Sequence, residues 1–181
     1  MSVLVDRLLA VHDALDDARL PHAFGGAFAL AYCTEEPRGT RDIDVNVFVD
    51  SARADDVLRA LPSGVVVTPR DVDAALADGQ VRVWWDDTPV DVFLDVHDFH
   101  HEVAAGVRDV PFAGRRIPVL GCVELVVFKA FFNRTKDWAD IEAILEAGTI
   151  DVTTALGWLV RLLGPDHPST ARLAQLTSTA S

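Results

Sequence analysis

Apolar positions along the chain follow two kinds of spacing, and the elements change where the spacing changes. Residues 2–20, "SVLVDRLLAVHDALDDARL", put Val3, Leu4, Leu8, Leu9, Val11 and Leu15 on one stripe, the pattern of a helix with a single buried face, and Pro21 stops it. A short strand, "HAF", a Gly25-Gly26 turn and a helix beginning "AFALAYC" come next. "DIDVNVFV" has the two-residue alternation of a strand. "SARADDVLRAL" reads as a helix capped by Ser51, "GVVVT" as a further strand and "VDAALADG" as a short helix closed by glycine. "QVRVWWDDTPVDVFLDV" alternates on both sides of Asp86-Asp87-Thr88-Pro89 and predicts a hairpin. "VRDVPFAGRRIPVL" predicts a smaller one turning at Ala113-Gly114. From Gly121 onward only helical spacing remains.

Strands mixed with helices, then helices alone, predict an α+β fold: a mixed β-sheet core over residues 1–120 and a helical C-terminal part, 121–176, packed on it. The Ser/Thr-rich residues 177–181 are expected to fray. Half of the 181 residues are apolar, enough for one real core. No apolar run approaches the roughly 20 residues of a membrane helix, and the acids in "MSVLVDRLLAVHDAL" do not suit a signal peptide. The cytoplasm is therefore the expected location. Cys33 and Cys122 lie far apart without CxxC spacing, so both read as small core residues, with neither a zinc site nor a disulfide indicated. Sixteen basic against 28 acidic residues give a net charge of −12, which argues against broad non-specific nucleic-acid binding while leaving room for a local basic groove. It is also compatible with a cationic substrate.

The chemistry concentrates in "TRDIDV". In an extended segment alternate side chains share a face, so Asp42 and Asp44 point the same way, with Asn46 and Phe48 behind them. On "PVDVFLDV" the acids Asp91 and Asp95 lie opposite the apolar Val90, Val92 and Leu94. If the two strands are neighbours, Asp91 joins Asp42 and Asp44. Three converging carboxylates repel unless a cation is present, and Mg²⁺, an oxygen-seeking ion satisfied by a few carboxylates plus water and phosphates, is the natural one. Two such ions could activate an attacking oxygen and stabilise a leaving one. "FGGAF" places glycines between a strand and a helix N-terminus, where backbone N–H groups favour a phosphate.

The order of these pieces, Gly25-Gly26, then "RGTRDID", then "PVDVF", resembles the nucleotidyltransferase superfamily that includes DNA polymerase β. Within it the chain is similar to the small bacterial branch with a GG signature, the lincosamide and aminoglycoside nucleotidyltransferases and the abortive-infection-type nucleotidyltransferase toxins. "ELVVFKAFFNRTKDWADIEAIL" extends the likeness to about residue 147. The resemblance implies a cytoplasmic enzyme that binds ATP or another NTP with two Mg²⁺ ions. It would transfer an NMP to the hydroxyl of a small molecule or a tRNA and release pyrophosphate. It implies that Asp42, Asp44 and Asp91 bind the metal, Asp91 also accepting the proton of the attacking hydroxyl. Gly25 and Gly26 form the phosphate turn, and Lys129 and Arg41, or Arg38, contact the nucleotide. Gly26 stands where the commoner signature has serine.

Other readings exist for several of these residues. Asp95 shares the face of Asp91 and could replace it. Lys129 could snorkel from an apolar helix. Asp137 and Asp140, secondary candidates, have the spacing of an N-cap and its N3 acid. His97, His100 and His101 in "HDFHH" fit a polar turn better than a zinc site. Trp84 and Trp85 fall on opposite faces, one for the core and one available for stacking. A competing class is a nucleotide-binding or protein-interaction module of the same fold without the chemistry.

Overall fold

The computed structural model describes residues 2–95 and 99–179. Two compact units divide the chain: Met1–Gly26 with Gly39–Val119, and Ala27–Arg38 with Leu120–Ser181. The architecture is α+β, a mixed six-stranded sheet and, among the described residues, nine α-helices.

The first unit opens with α1 (Val3–Asp17), where the Ser2 hydroxyl accepts from the Val5 amide and Leu8, Leu9, Val11 and Leu15 are buried along the predicted stripe. The strands follow as β1 (His22–Phe24), β2 (Ile43–Asp50), β3 (Gln80–Trp85), β4 (Thr88–Asp95), β5 (Arg108–Phe112) and β6 (Arg115–Val119), in the sheet order β3-β4-β2-β1-β6-β5. β2 runs parallel to β4 and antiparallel to β1, while β1 meets β6 in parallel. Ile43, Val45 and Val47 pair in register with Val90, Val92 and Leu94, and all six are buried. The alternation of both segments therefore sends one face to the core and leaves the other for polar groups.

The β3–β4 hairpin turns in two residues, Asp86-Asp87, with Asp86 at φ 50°, and Thr88 and Pro89 already belong to β4. Arg7 of α1 clamps this turn, bonding Asp86, Asp87 and Thr88 while its guanidinium lies 5.6 Å from the centre of the Trp85 ring. Trp84 is the exposed member of the tryptophan pair. At the β5–β6 turn both Ala113 and Gly114 have positive φ, which matches the twist of a tight hairpin.

"GVVVT" is not a strand. Val66 alone makes a bridge, to Trp84, because Thr68 is drawn into a capping box with Asp71 and Pro69 takes the first turn of α4 (Pro69–Asp78), which Gly79 ends at φ 66°. The helix after β2 also starts differently: Asp50, not Ser51, caps a 3-10 turn (Ser51–Arg53) that leads into α3 (Ala54–Ala60). "HDFHH" is not a plain turn, since residues 99–105 form α5 (Phe99–Ala105); His97 lies outside the described residues.

His22 opens β1 and is buried. A carbonyl only accepts, so its Nδ1 donates to the Leu20 oxygen at 2.8 Å and its Nε2 takes the proton of His12 Nδ1 at 2.9 Å. Burial pushes the His22 pKa below its ordinary value. Both rings line an open cavity of about 500 Å³ with Asp16, Arg19, Leu20 and Phe48.

The second unit comprises α2 (Gly26–Thr34) beyond its first residue, α6 (Cys122–Phe132), α7 (Thr135–Ala147), α8 (Val152–Leu163) and α9 (Pro168–Thr179). Residues 177–179 are helical, and the last two residues of the expected frayed tail lie outside the described residues. Cys33, at the end of α2, and Cys122, at the start of α6, form a disulfide, with Cα atoms 5.5 Å apart. The expectation of two free core thiols is thus corrected: both are buried, but bonded to each other. Their sequence separation of 89 hid the pairing. Trp138 is buried in the same unit, its indole N–H on Asn133 and the Arg172 guanidinium 4.3 Å from its ring centre.

Candidate active site

Three chain segments meet at one edge of the sheet. β1 ends there because it is antiparallel to β2, and β2 and β4 both begin there because they are parallel. Gly25, just past β1, donates its N–H to the Asp44 carbonyl at 2.9 Å. Gly26 then starts α2 at φ +51°, and a Cβ on it would overlap the Asp44 carboxylate. Backbone conformation and the Asp44 side chain both disfavour a larger residue at this position. The glycine turn and the acid are therefore in contact at Gly26.

The strand adjacency inferred from the sequence is present: Asp44 and Asp91 are register partners on β2 and β4. Asp42 stands one residue before β2, its carboxylate accepting from the Thr40 hydroxyl. Asp95 is not beside this group. It pairs with Asp50, four residues further along β4 than Asp91, about 13 Å at the rise of a strand.

Arg82 was missed in the sequence. It is the register partner of Asp91 across the hairpin, and its guanidinium grips Asp91 with both arms, Nε to Oδ1 at 2.7 Å and Nη2 to Oδ2 at 2.6 Å. Hydrogen bonding to Asp91, and then the charges of Asp91, Asp42 and Asp44, raise the Arg82 pKa well above its ordinary value. The cation demanded by three neighbouring carboxylates is thus supplied in part by the chain itself. Among the described residues no three His, Cys, Asp or Glu side chains are gathered into a ready metal shell; Asp42 bonds Thr40 and Asp91 bonds Arg82. The donor chemistry nonetheless suits Mg²⁺, since one or two carboxylates with water and phosphate complete its shell.

Arg41 is exposed at the same edge, close enough to Asp87 that its charge helps to hold that carboxyl's pKa down, after the larger effect of Arg7. The remaining candidates sit in the second unit and form a cluster of their own. Lys129 does not snorkel: it is buried, with Nζ 2.7 Å from Asp140 and 3.8 Å from Asp137. Arg38 also bonds Asp140, and Arg134 holds Asp137 at 2.7 Å. Asp137 is not the N-cap of α7 but its N3 residue, accepting from the Arg134 amide at 3.2 Å. Asp140 instead faces Lys129.

No protein-family model matches the chain, and no curated protein sequence does. Solved structures do. The solution structure of the antibiotic-resistance factor ANT(2'')-Ia, an aminoglycoside nucleotidyltransferase, is 14% identical over 98% of this chain and 96% of that one, with a TM-score of 0.63. Its crystal structure with adenylyl-2''-tobramycin is 15% identical over 99% and 100%, with a TM-score of 0.57. An H. pylori protein described as a nucleotidyltransferase is 16% identical over 99% and 94%, with a TM-score of 0.50. Sheet, glycine turn and helical second unit together give this chain the nucleotidyltransferase fold.

Proposed function

We propose that the chain is a Mg²⁺-dependent nucleotidyltransferase that moves an NMP from an NTP to a hydroxyl of a small acceptor and releases pyrophosphate. The observation that carries this reading is the register of Asp44 opposite Asp91, with the Gly25-Gly26 turn in contact with Asp44. Asp42, Asp44 and Asp91 would hold two Mg²⁺ ions, which supply charge neutralisation on the triphosphate and lower the pKa of the attacking hydroxyl. The amides of the Gly25-Gly26 turn would receive a phosphate, and Arg41 would pair with its oxygens. Asp91 would take the hydroxyl proton once released from Arg82. Catalysis would come mostly from positioning and electrostatics. The reading does not depend on Lys129, which is paired with Asp140.

A small cationic acceptor is favoured over tRNA on two grounds. The net charge of −12 opposes a polyanion, and the neighbour ANT(2'')-Ia was captured with adenylyl-2''-tobramycin. The test is incubation of the chain with labelled NTPs, Mg²⁺ and a pool of aminoglycosides, other small hydroxyl compounds and tRNA. Labelled small product is expected, and Asp44→Asn should lose it while melting like the wild type. Label on tRNA alone would reverse the acceptor; full turnover by Asp44→Asn would remove the acid cluster from the mechanism. The guanidinium on Asp91 also suits a second reading, a nucleotide-binding module without transfer, for which calorimetry would show NTP binding and the incubation no product.

A further inference from the structure

The proposed chemistry leaves Arg82 unused, although it touches the acid expected to do most. Its fork occupies both oxygens of Asp91, whose side chain is only 15% exposed while that of Arg82 is 52% exposed. Asp91 therefore depends on this partner, whereas the guanidinium can turn into water without being stranded as a buried charge. The pairing is set by backbone register, with Arg82 opposite Asp91 and Val81 and Val83 opposite Val92 and Val90. The fork is thus aimed at the acid by the hairpin itself. The charges of Asp42 and Asp44 act on it as well.

We infer that Arg82 is the exchangeable counterion of the acid cluster: it neutralises Asp91 in the metal-free chain and competes with a divalent cation for that carboxylate, setting the metal affinity of the site. This rests on reading Asp42, Asp44 and Asp91 as metal-holding residues. A cation that binds through Asp91 needs at least one oxygen that Arg82 now uses, so each occupant weakens the other. Removing the guanidinium would leave the carboxylates mutually repelled and more eager for a metal. An arginine so displaced presents five N–H donors in a plane suited to phosphate.

The experiment measures Mn²⁺ binding to the full chain, without nucleotide, from the electron paramagnetic resonance signal of free Mn²⁺, alongside thermal melts. Arg82→Gln should bind Mn²⁺ roughly 2- to 5-fold tighter than the wild type, the range of a part-exposed ion pair. Arg82→Lys, which keeps the charge but not the fork, should fall between them. It also carries the comparison if the glutamine variant fails to fold. In an Asp91→Asn background the tightening should vanish, because nothing remains to compete for. Affinity in both Arg82 variants no tighter than in the wild type overturns the inference. So does equal tightening with and without Asp91, which would mean that Arg82 acts only through its field. Asp44→Asn separates the two levels of the argument: if it binds Mn²⁺ as the wild type does, or if the wild type binds none, the metal-holding reading itself fails.

Discussion

Adding one carbon at residue 26 tests the contact between the glycine turn and Asp44. Gly26→Ala puts an L side chain at φ +51° and drives its Cβ into the Asp44 carboxylate. The left-handed conformation costs about 1–2 kcal/mol and the overlap, relieved only by moving Asp44 or the turn, about 1–3 kcal/mol. The sum, about 2–5 kcal/mol, is a large part of a typical domain's stability and should lower the melting temperature by roughly 5–15 °C. Urea and thermal denaturation of Gly26→Ala, Asp44→Ala and the double variant would separate the two parts. The backbone cost should persist without Asp44, and the overlap cost should disappear. A Gly26→Ala melt within about 2 °C of the wild type would refute the reasoning, as would a penalty of the same size in both backgrounds. The same overlap bears on the serine of the commoner signature, which would meet Asp44 just as alanine does.

Two further outcomes follow from features away from that edge. The folded-state pKa of His22 lies below its unfolded value of 6.5, so the unfolded chain takes up the proton first; stability is full above about pH 6.5 and falls as pH drops toward the folded pKa. One group sets a slope of at most about 1.4 kcal/mol per pH unit, and His22→Gln should flatten that part of the urea-midpoint profile; identical slopes would exclude His22 as the source. Reduction of Cys33–Cys122, which closes a loop of 89 residues, should cost about 2–4 kcal/mol. It should lower the melt by roughly 5–15 °C in strong reductant, and Cys33→Ala should melt at the reduced temperature with or without reductant.

Much of the candidate site's geometry was legible because strand alternation is a local rule. Asp42-x-Asp44 and Asp91 could be assigned to polar faces from their own neighbours, and only the adjacency of the strands had to be supposed. Arg82 was within reach as well. A two-residue turn at Asp86-Asp87 puts residue 82 opposite 91, but a turn spread over Asp86–Pro89 leaves the register open. "GVVVT" misled because β-branched residues favour strands, whereas Thr68, Pro69 and Asp71 committed its last residue to a helix cap. Asp137 has the spacing of a cap relative to Asp140, but α7 starts two residues before it, at Thr135, which makes Asp137 the third residue in. The disulfide had no local signal at all, since the fold alone brings Cys33 to Cys122. The same holds for Lys129: an apolar helix with one lysine gives no sign of two aspartates waiting on the next helix.

The parallel pairing of β2 and β4 has a consequence for the time at which the site comes into being. A parallel pair cannot be closed by a tight turn, and here α3, α4 and β3 intervene before Asp91 can reach Asp44. A chain still being synthesised, or folded only through β2, holds Asp42 and Asp44 without their partner or its guanidinium. Such non-local pairings are the slow ones to form, and one of them must be in place before the carboxylates can come together. A cation that needs all three would then bind the native chain and leave its precursors alone, pulling the equilibrium toward the folded state.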